Sequence, residues 1–183
     1  MQIELYARKP IKECRVLDIG CFEGGLSYHI AKHGADVTGL EIREEHLGRC
    51  NFLKNVFSNL RLNFIKGNML ALDELDLGKF DAVLMAGTLY HVDAPDIIPV
   101  LKSLRALTTA AVIIDTHVAA KVLESYTDAE TGLKMYGRSL IEHNEGDEQA
   151  TKNQRLRTAF TNNFSFWPTE RSLINAVIES GFD

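Results

Sequence analysis

Short apolar runs alternate along this chain with longer stretches in which apolar residues recur at helical spacing. Arg15 to Ile19 is mostly apolar and stops at Gly20, which predicts a buried parallel strand. Leu26, Ile30 and Ala31 then share one helical face, ended by Gly34. Val37 to Leu40 predicts a second strand. Glu44 to Phe57 predicts a helix with a broad apolar stripe of Leu47, Cys50, Phe52, Leu53 and Phe57. Further strands are expected at Leu62 to Ile65, Phe80 to Met85 and Ala111 to Asp115, the last two joined by a helix from about Asp96 to Leu107. A final helix is expected to start at Phe166-Trp167-Pro168, with Leu173, Ile174, Val177 and Ile178 buried.

Strands alternating with helices predict an α/β fold, a Rossmann-like and mostly parallel sheet covered by helices on both faces. Residues 118–164 break the pattern: they are polar, carry Gly132, Gly137 and Gly146, and include the acidic run Glu142 to Glu148. Within a single domain over 1–183, this stretch is expected to be an insertion or lid over the substrate cleft. The chain ends in Gly181-Phe182-Asp183, where a helix would ordinarily hand over to a strand. The C-terminal strands of the sheet are therefore expected to be absent. An open edge of that kind could be covered by a second copy in a homo-oligomer.

Composition narrows the partners. A formal net charge of -5 offers no global positive field for nucleic acid, although local basic patches leave RNA open. Three cysteines, Cys14, Cys21 and Cys50, are an odd number without metal-ligand spacing, which suits a reducing compartment. No apolar run reaches membrane-spanning length and the N-terminus lacks a signal-peptide layout. The expectation is a soluble cytoplasmic protein with no membrane partner.

Candidate chemistry concentrates where the first strand meets its helix. Asp18, Gly20, Cys21, Phe22 and Gly24 form a glycine-rich turn that would aim backbone N–H groups at a ligand. Glu41, followed by Ile42, lies 23 positions after Asp18, where a nucleotide ribose would present its hydroxyls. Glu41 could equally be an exposed acid paired with Arg43. Phe22 and Glu23 crowd and charge the place where a pyrophosphate would sit, which opposes NAD. Asn68 could hydrogen-bond an adenine with Met69 packed on its ring, or could be a simple turn residue.

The stretches Val16-Leu17-Asp18-Ile19-Gly20-Cys21-Phe22-Glu23-Gly24, Glu41, Gly67-Asn68-Met69 and Phe80 to Val92 resemble successive motifs of class I S-adenosylmethionine-dependent methyltransferases. Ile114 to His117 and Ser165 to Thr169 resemble stretches of poorly characterised bacterial members. The resemblance implies S-adenosyl-L-methionine as cofactor. It implies that Asp18 and Gly20 shape the methionine pocket, Glu41 holds the ribose, Asn68 replaces the usual adenine-contacting Asp, and Ala86 and Gly87 line the methyl-donor side. Phe22 stands where the family often has glycine.

Methyl transfer is an in-line displacement, so the enzyme must align an acceptor, exclude water and, for some acceptors, remove a proton. His91 is the candidate base, with pocket lining or helix capping as the plainer role. Tyr90, Asp115, His117 and Arg138 are candidate substrate contacts. Asp115 and His117 could also hold a divalent metal with His91, but sequence places no further ligand and no metal is assigned. Arg138 could bind an acceptor carboxylate or phosphate, or simply be solvated. The function expected is methyl transfer to oxygen or nitrogen of a small-molecule or sugar-like acceptor. The alternatives are an NAD(P)-dependent oxidoreductase and a non-catalytic binding fragment.

Overall fold

The computed structural model describes residues 2–183, which divide into two units. The first takes the chain up to Ala86 together with Ser103–Ile114. It contains α1 (Gln2–Ala7), β1 (Arg15–Ile19), α2 (Gly25–Lys32), β2 (Asp36–Glu41), α3 (Glu44–Val56), β3 (Leu62–Lys66), β4 (Phe80–Ala86) and most of β5 (Thr108–Asp115). These strands form a five-stranded Rossmann-like sheet in the order β3-β2-β1-β4-β5. Parallel pairing sets Asp18 opposite both Gly39 and Leu84. Val16, Leu17 and Ile19 of β1 and Ala82 to Met85 of β4 are buried in near-continuous runs, as strands covered on both faces must be. Strand order reverses between β1 and β4, and the carboxyl ends at such a switch point frame the ligand crevice of open α/β sheets.

Helix α3 departs from expectation. Its buried residues are His46 and Cys50, whereas Phe52 is 71% exposed and Val56 is exposed too. At 100° per residue, Phe52 projects well away from the His46–Cys50 line, so the apolar stripe is narrow.

The second unit, Gly87–Lys102 with Asp115–Asp183, receives the start of α4 (Ala94–Leu107). It also holds β6 (Glu124–Thr127), β7 (Lys134–Ile141), α5 (Gln149–Gln154), β8 (Phe164–Pro168) and α6 (Glu170–Glu179). The expected fold class, a sheet lacking its C-terminal strands, is thereby corrected. The chain supplies three more strands, paired antiparallel as a separate sheet in the order β6-β7-β8. Their alternation was masked by glycine and polar residues: in β7 the inward positions include Gly137 beside Met135.

Gly137 is there for close approach, not for a turn. A Cβ on it would lie 2.1 Å from the Trp167 carbonyl oxygen and 2.9 Å from Pro168 Cα. Because that obstacle is backbone, Gly137→Ala should destabilise by about 2–4 kcal/mol, above the usual overpacking cost. A thermal melt within about 2 °C of the parent, against the several degrees such a loss implies, would show that β7 and β8 can separate enough to admit a methyl group.

The last helix also begins later than expected. Pro168 closes β8, where an edge strand can do without its N–H, and its carbonyl accepts from Ala119 at 2.9 Å. Thr169 is the N-cap, its hydroxyl accepting from Ser172 N–H at 3.3 Å. Helix α6 buries Ser172 and Ala176 while Ile174 and Ile178 are more than half exposed. A polar anchor accompanies that face: the Ser172 hydroxyl accepts from Tyr136 N–H at 2.9 Å. Among the described residues no helix is long and apolar enough to cross a membrane.

Candidate functional site

In the first unit, the candidate cofactor residues gather at the carboxyl ends of β1 and β2. Gly20 and Cys21 N–H both donate to Leu40 carbonyl, at 2.9 and 3.0 Å, which folds the glycine turn against the end of β2. Asp18 is buried behind the turn and accepts from the Ser27 hydroxyl at 2.6 Å, fastening the first turn of α2. Burial pushes the Asp18 carboxyl above its ordinary value, the Ser27 bonds oppose this, and the nearby Glu41 charge adds to it. Gly24 has φ +81°, and a Cβ there would meet Phe64 Cζ at 2.6 Å, so the turn needs glycine on both counts.

Phe22 itself is left-handed at φ 54°, a conformation uncommon for a bulky residue. Its ring lies 4.2 Å from that of His46 on α3, and its carbonyl accepts from the Cys50 thiol at 3.0 Å. Cys21 turns inward, its sulfur 3.9 Å from that of Cys50. The Cys50 contact and burial push the Cys21 thiol far above its ordinary value, so it is an inert core thiol.

Glu41 is buried, not the exposed acid of the plainer reading, and Arg43 beside it is buried too. One carboxylate oxygen accepts from Ile42 N–H at 2.9 Å and Arg43 N–H at 2.8 Å. The other accepts from Phe22 N–H at 3.0 Å. One acid therefore ties the glycine turn to the β2 loop, and its second oxygen keeps acceptor capacity. Gly67 N–H donates to Glu41 carbonyl at 3.1 Å, which brings Asn68 and the half-buried Met69 to the same edge. The Asn68 side-chain oxygen caps the following 3-10 turn at Leu70 N–H, 3.0 Å, leaving its amide N–H groups uncommitted among the described residues. This set suits a nucleoside carrying an amino acid. It has a carboxylate for paired hydroxyls, an amide for a base edge and acids where phosphates would be repelled. Glu23, in the turn, is ion-paired with Arg49.

In the second unit, Gly87 N–H donates to the Asp115 carbonyl at 2.8 Å; the exposed Asp115 thus contributes its backbone. Ala86, half-buried, ends β4 immediately before Gly87. Tyr90 lies 4.3 Å from His91, 4.5 Å from His117 and 6.2 Å from Trp167, centroid to centroid. His117 stacks on Trp167 at 4.7 Å, and the Arg138 guanidinium lies 4.9 Å from the Trp167 centroid. Three of the five expected acceptor-side residues, Tyr90, His117 and Arg138, thus meet around an indole to which sequence assigned no role, and His91 joins them through the Tyr90 ring. Among the described residues, no group of three or more His, Cys, Asp or Glu is disposed to hold a metal ion.

His91 has a partner that sequence alone missed. Its Nδ1 lies 2.9 Å from Glu142 Oε1, and the other Glu142 oxygen accepts from Ala159 N–H at 3.0 Å. Because a carboxylate only accepts, Nδ1 carries a proton, and in the neutral imidazole Nε2 then presents a lone pair, the arrangement of a base with its orienting acid. Asn162 Nδ2 also donates to the His91 carbonyl at 2.9 Å. No local signal could have marked Glu142, since 51 residues separate it from His91.

Burial pushes the Glu142 carboxyl up, but the bonds from His91 and Ala159 more than offset it, leaving the group below its ordinary value. A carboxyl whose folded value is depressed stabilises the fold above its unfolded value, and that contribution disappears as pH falls through the folded value. Stability should therefore decline on acidification below the unfolded value of about 4.5, partly because of this group. Melting curves across that range should be flatter for Glu142→Gln; parallel curves would remove Glu142 from the acid-sensitive set.

The fold and the strand-end acids define a Rossmann-like nucleoside-cofactor domain of the class I methyltransferase kind. Residues 16–110 match the family described as methyltransferase domain, and the chain belongs to that S-adenosylmethionine-dependent family. Among relatives, the ubiquinone biosynthesis O-methyltransferase of Dechloromonas aromatica (strain RCB) is 38% identical over 81 residues, 44% of this chain and 34% of that protein. The magnesium-protoporphyrin O-methyltransferase of Rhodobacter capsulatus is 30% identical over 115 residues, 62% of this chain and 50% of that protein. The chain thus spans half or less of these curated relatives. Among solved structures, the N-terminal domain of EvdMO1, determined in the presence of SAH and D-fucose, is 26% identical with a TM-score of 0.76. It covers 99% of this chain and 71% of that one.

Proposed function

We propose that this chain transfers a methyl group from S-adenosylmethionine to a hydroxyl of a small, sugar-like acceptor, with His91 as the base. The observation that carries the reading is the His91–Glu142 pair set beside the Tyr90, His117 and Trp167 rings, in a chain of the methyltransferase family. A structural relative solved with SAH and a deoxyhexose, covering nearly all of this chain, supports the acceptor class. Family membership displaces the oxidoreductase alternative.

Glu41 receives the ribose hydroxyls, and the turn around Gly20 and Phe22 holds the amino-acid end. Asn68 and Met69 take the adenine. The cofactor supplies an electrophilic methyl group on a sulfonium. The chain's own work is then alignment and proton removal. Tyr90 and His117 position the acceptor by ring contact, and His91 Nε2 takes the hydroxyl proton while Glu142 holds the imidazole and stabilises the charge it gains. An orienting carboxylate of this kind fixes both tautomer and ring angle.

Calorimetric titration with S-adenosylhomocysteine should give saturable one-site binding, with NADH giving none. Assays with D-fucose as probe acceptor should then show methyl transfer that depends on His91. NADH binding without S-adenosylhomocysteine binding would overturn the cofactor reading. Cofactor binding without transfer to D-fucose or to any related hexose, neutral or acidic, would overturn the acceptor reading.

A further inference from the structure

Arg138 stands on β7 directly opposite Trp167 of β8 in the antiparallel register. Its guanidinium lies over the indole, and the indole is fixed by its own N–H donating to the Tyr90 carbonyl at 2.9 Å. A long, flexible side chain is thus held in one place before any ligand arrives. Its Nε is out of contact with water and has no hydrogen-bond partner. None of the ion pairs among the described residues involves Arg138; the lysines and arginines they engage lie elsewhere. A desolvated cationic donor without an acceptor is costly, and a fold that keeps one gains from a partner that comes from outside.

The surrounding charge points the same way. Lys134, Tyr136 and Arg138 alternate onto one face of β7, with the Lys134 ammonium 5.3 Å from the Tyr136 centroid. The residues paired with them across the sheet, Thr127, Ser125 and Trp167, are uncharged. Glu124 is paired with Gly137, on the other face, and its carboxylate accepts from Ser139 N–H. In a chain of net charge -5, this strand face is locally basic.

We propose that Arg138 binds an oxyanion of the methyl acceptor, a carboxylate or phosphoryl group carried on the same small molecule as the hydroxyl that is methylated. The inference rests on the acceptor reading above and narrows it from sugar-like molecules to acidic ones. The planar guanidinium offers paired N–H donors that match either oxyanion, and Trp167 and Tyr90 connect it to the His91 ring.

Trp167 is the sole tryptophan in the chain, so its emission reports on this place directly. Protein saturated with S-adenosylhomocysteine would be titrated with D-galactose, D-galacturonate and D-galactose 1-phosphate. At least one acidic sugar should bind about tenfold or more tightly than galactose, and which one does so separates carboxylate from phosphoryl recognition. Arg138→Gln should bring that sugar down to the level of galactose. Arg138→Lys, which keeps the charge but not the fork, should retain part of the preference. Equal binding of all three sugars to the parent protein, or a preference that survives in Arg138→Gln, would overturn the proposal and leave the acceptor reading standing. If S-adenosylhomocysteine binds and no sugar alters the emission, the acceptor reading fails and this inference fails with it.

Discussion

Replacing His91 with glutamine should lower kcat/KM for the acceptor by about 10²–10⁴-fold, the usual reach of a positioned general base. Affinity for S-adenosylhomocysteine should stay within about twofold, a change worth well under 1 kcal/mol. Glutamine keeps much of the length of the side chain and can still donate to Glu142, so the turn at Leu89–His91 retains its anchors: His91 N–H to Thr88 carbonyl at 3.0 Å and Asn162 to the His91 carbonyl. What it loses is the lone pair at Nε2. The loss should therefore appear in kcat rather than in acceptor KM. Glu142→Gln should give a smaller loss, because the imidazole remains but its tautomer and angle are no longer enforced. Single-turnover rates with each variant separate these cases. A His91→Gln enzyme within about threefold of the parent, under 1 kcal/mol of transition-state stabilisation, would reduce His91 to a structural anchor.

The first unit was largely legible because its signals are local. Each strand from β1 to β4 is a segment of five to seven residues with an apolar core, ended by glycine or a strand-end acid. The Asp18, Gly20 and Glu41 spacing follows from one strand–turn–helix–strand unit. Phe22 is instructive: sequence reads its ring as crowding the turn, whereas the backbone goes left-handed and the ring moves over His46. In the second unit helices α4 and α6 were legible but the three strands were not, because their signals are pairings. Gly137 looks like a turn residue until Trp167 lies against it, and Pro168 looks like a helix start until β8 ends on it. Glu142 belongs to an acidic run that sequence places only in a polar insertion or lid, yet its carboxylate is nine-tenths buried against His91. Nothing within ten residues of either partner announces that contact.

Glu41 carries the second large expectation, because one side chain ties down the turn and, in the function proposed, also receives the ribose of the cofactor. Glu41→Ala would leave the N–H groups of Phe22, Ile42 and Arg43 without their acceptor in a part-buried setting. Unsatisfied donors of this kind cost about 1–3 kcal/mol each, so a net loss of about 2–4 kcal/mol is expected once water reaches some of them. The left-handed Phe22 adds to the strain, since its N–H bond to Glu41 is what holds that conformation in place. Glu41→Gln separates the two roles. Its amide oxygen can still accept from Ile42 and Arg43, so most of the stability should survive. Its amide N–H now opposes Phe22 N–H, and it offers one acceptor atom where paired ribose hydroxyls need two. Thermal melts should then show a near-parental protein whose S-adenosylhomocysteine-induced rise in Tm is nearly abolished, as a hundredfold weaker site implies, a difference of about 2.7 kcal/mol. If Glu41→Gln keeps the full ligand-induced rise, the carboxylate serves the glycine turn alone. The ribose would then be held by backbone groups around Gly20 and Ile42.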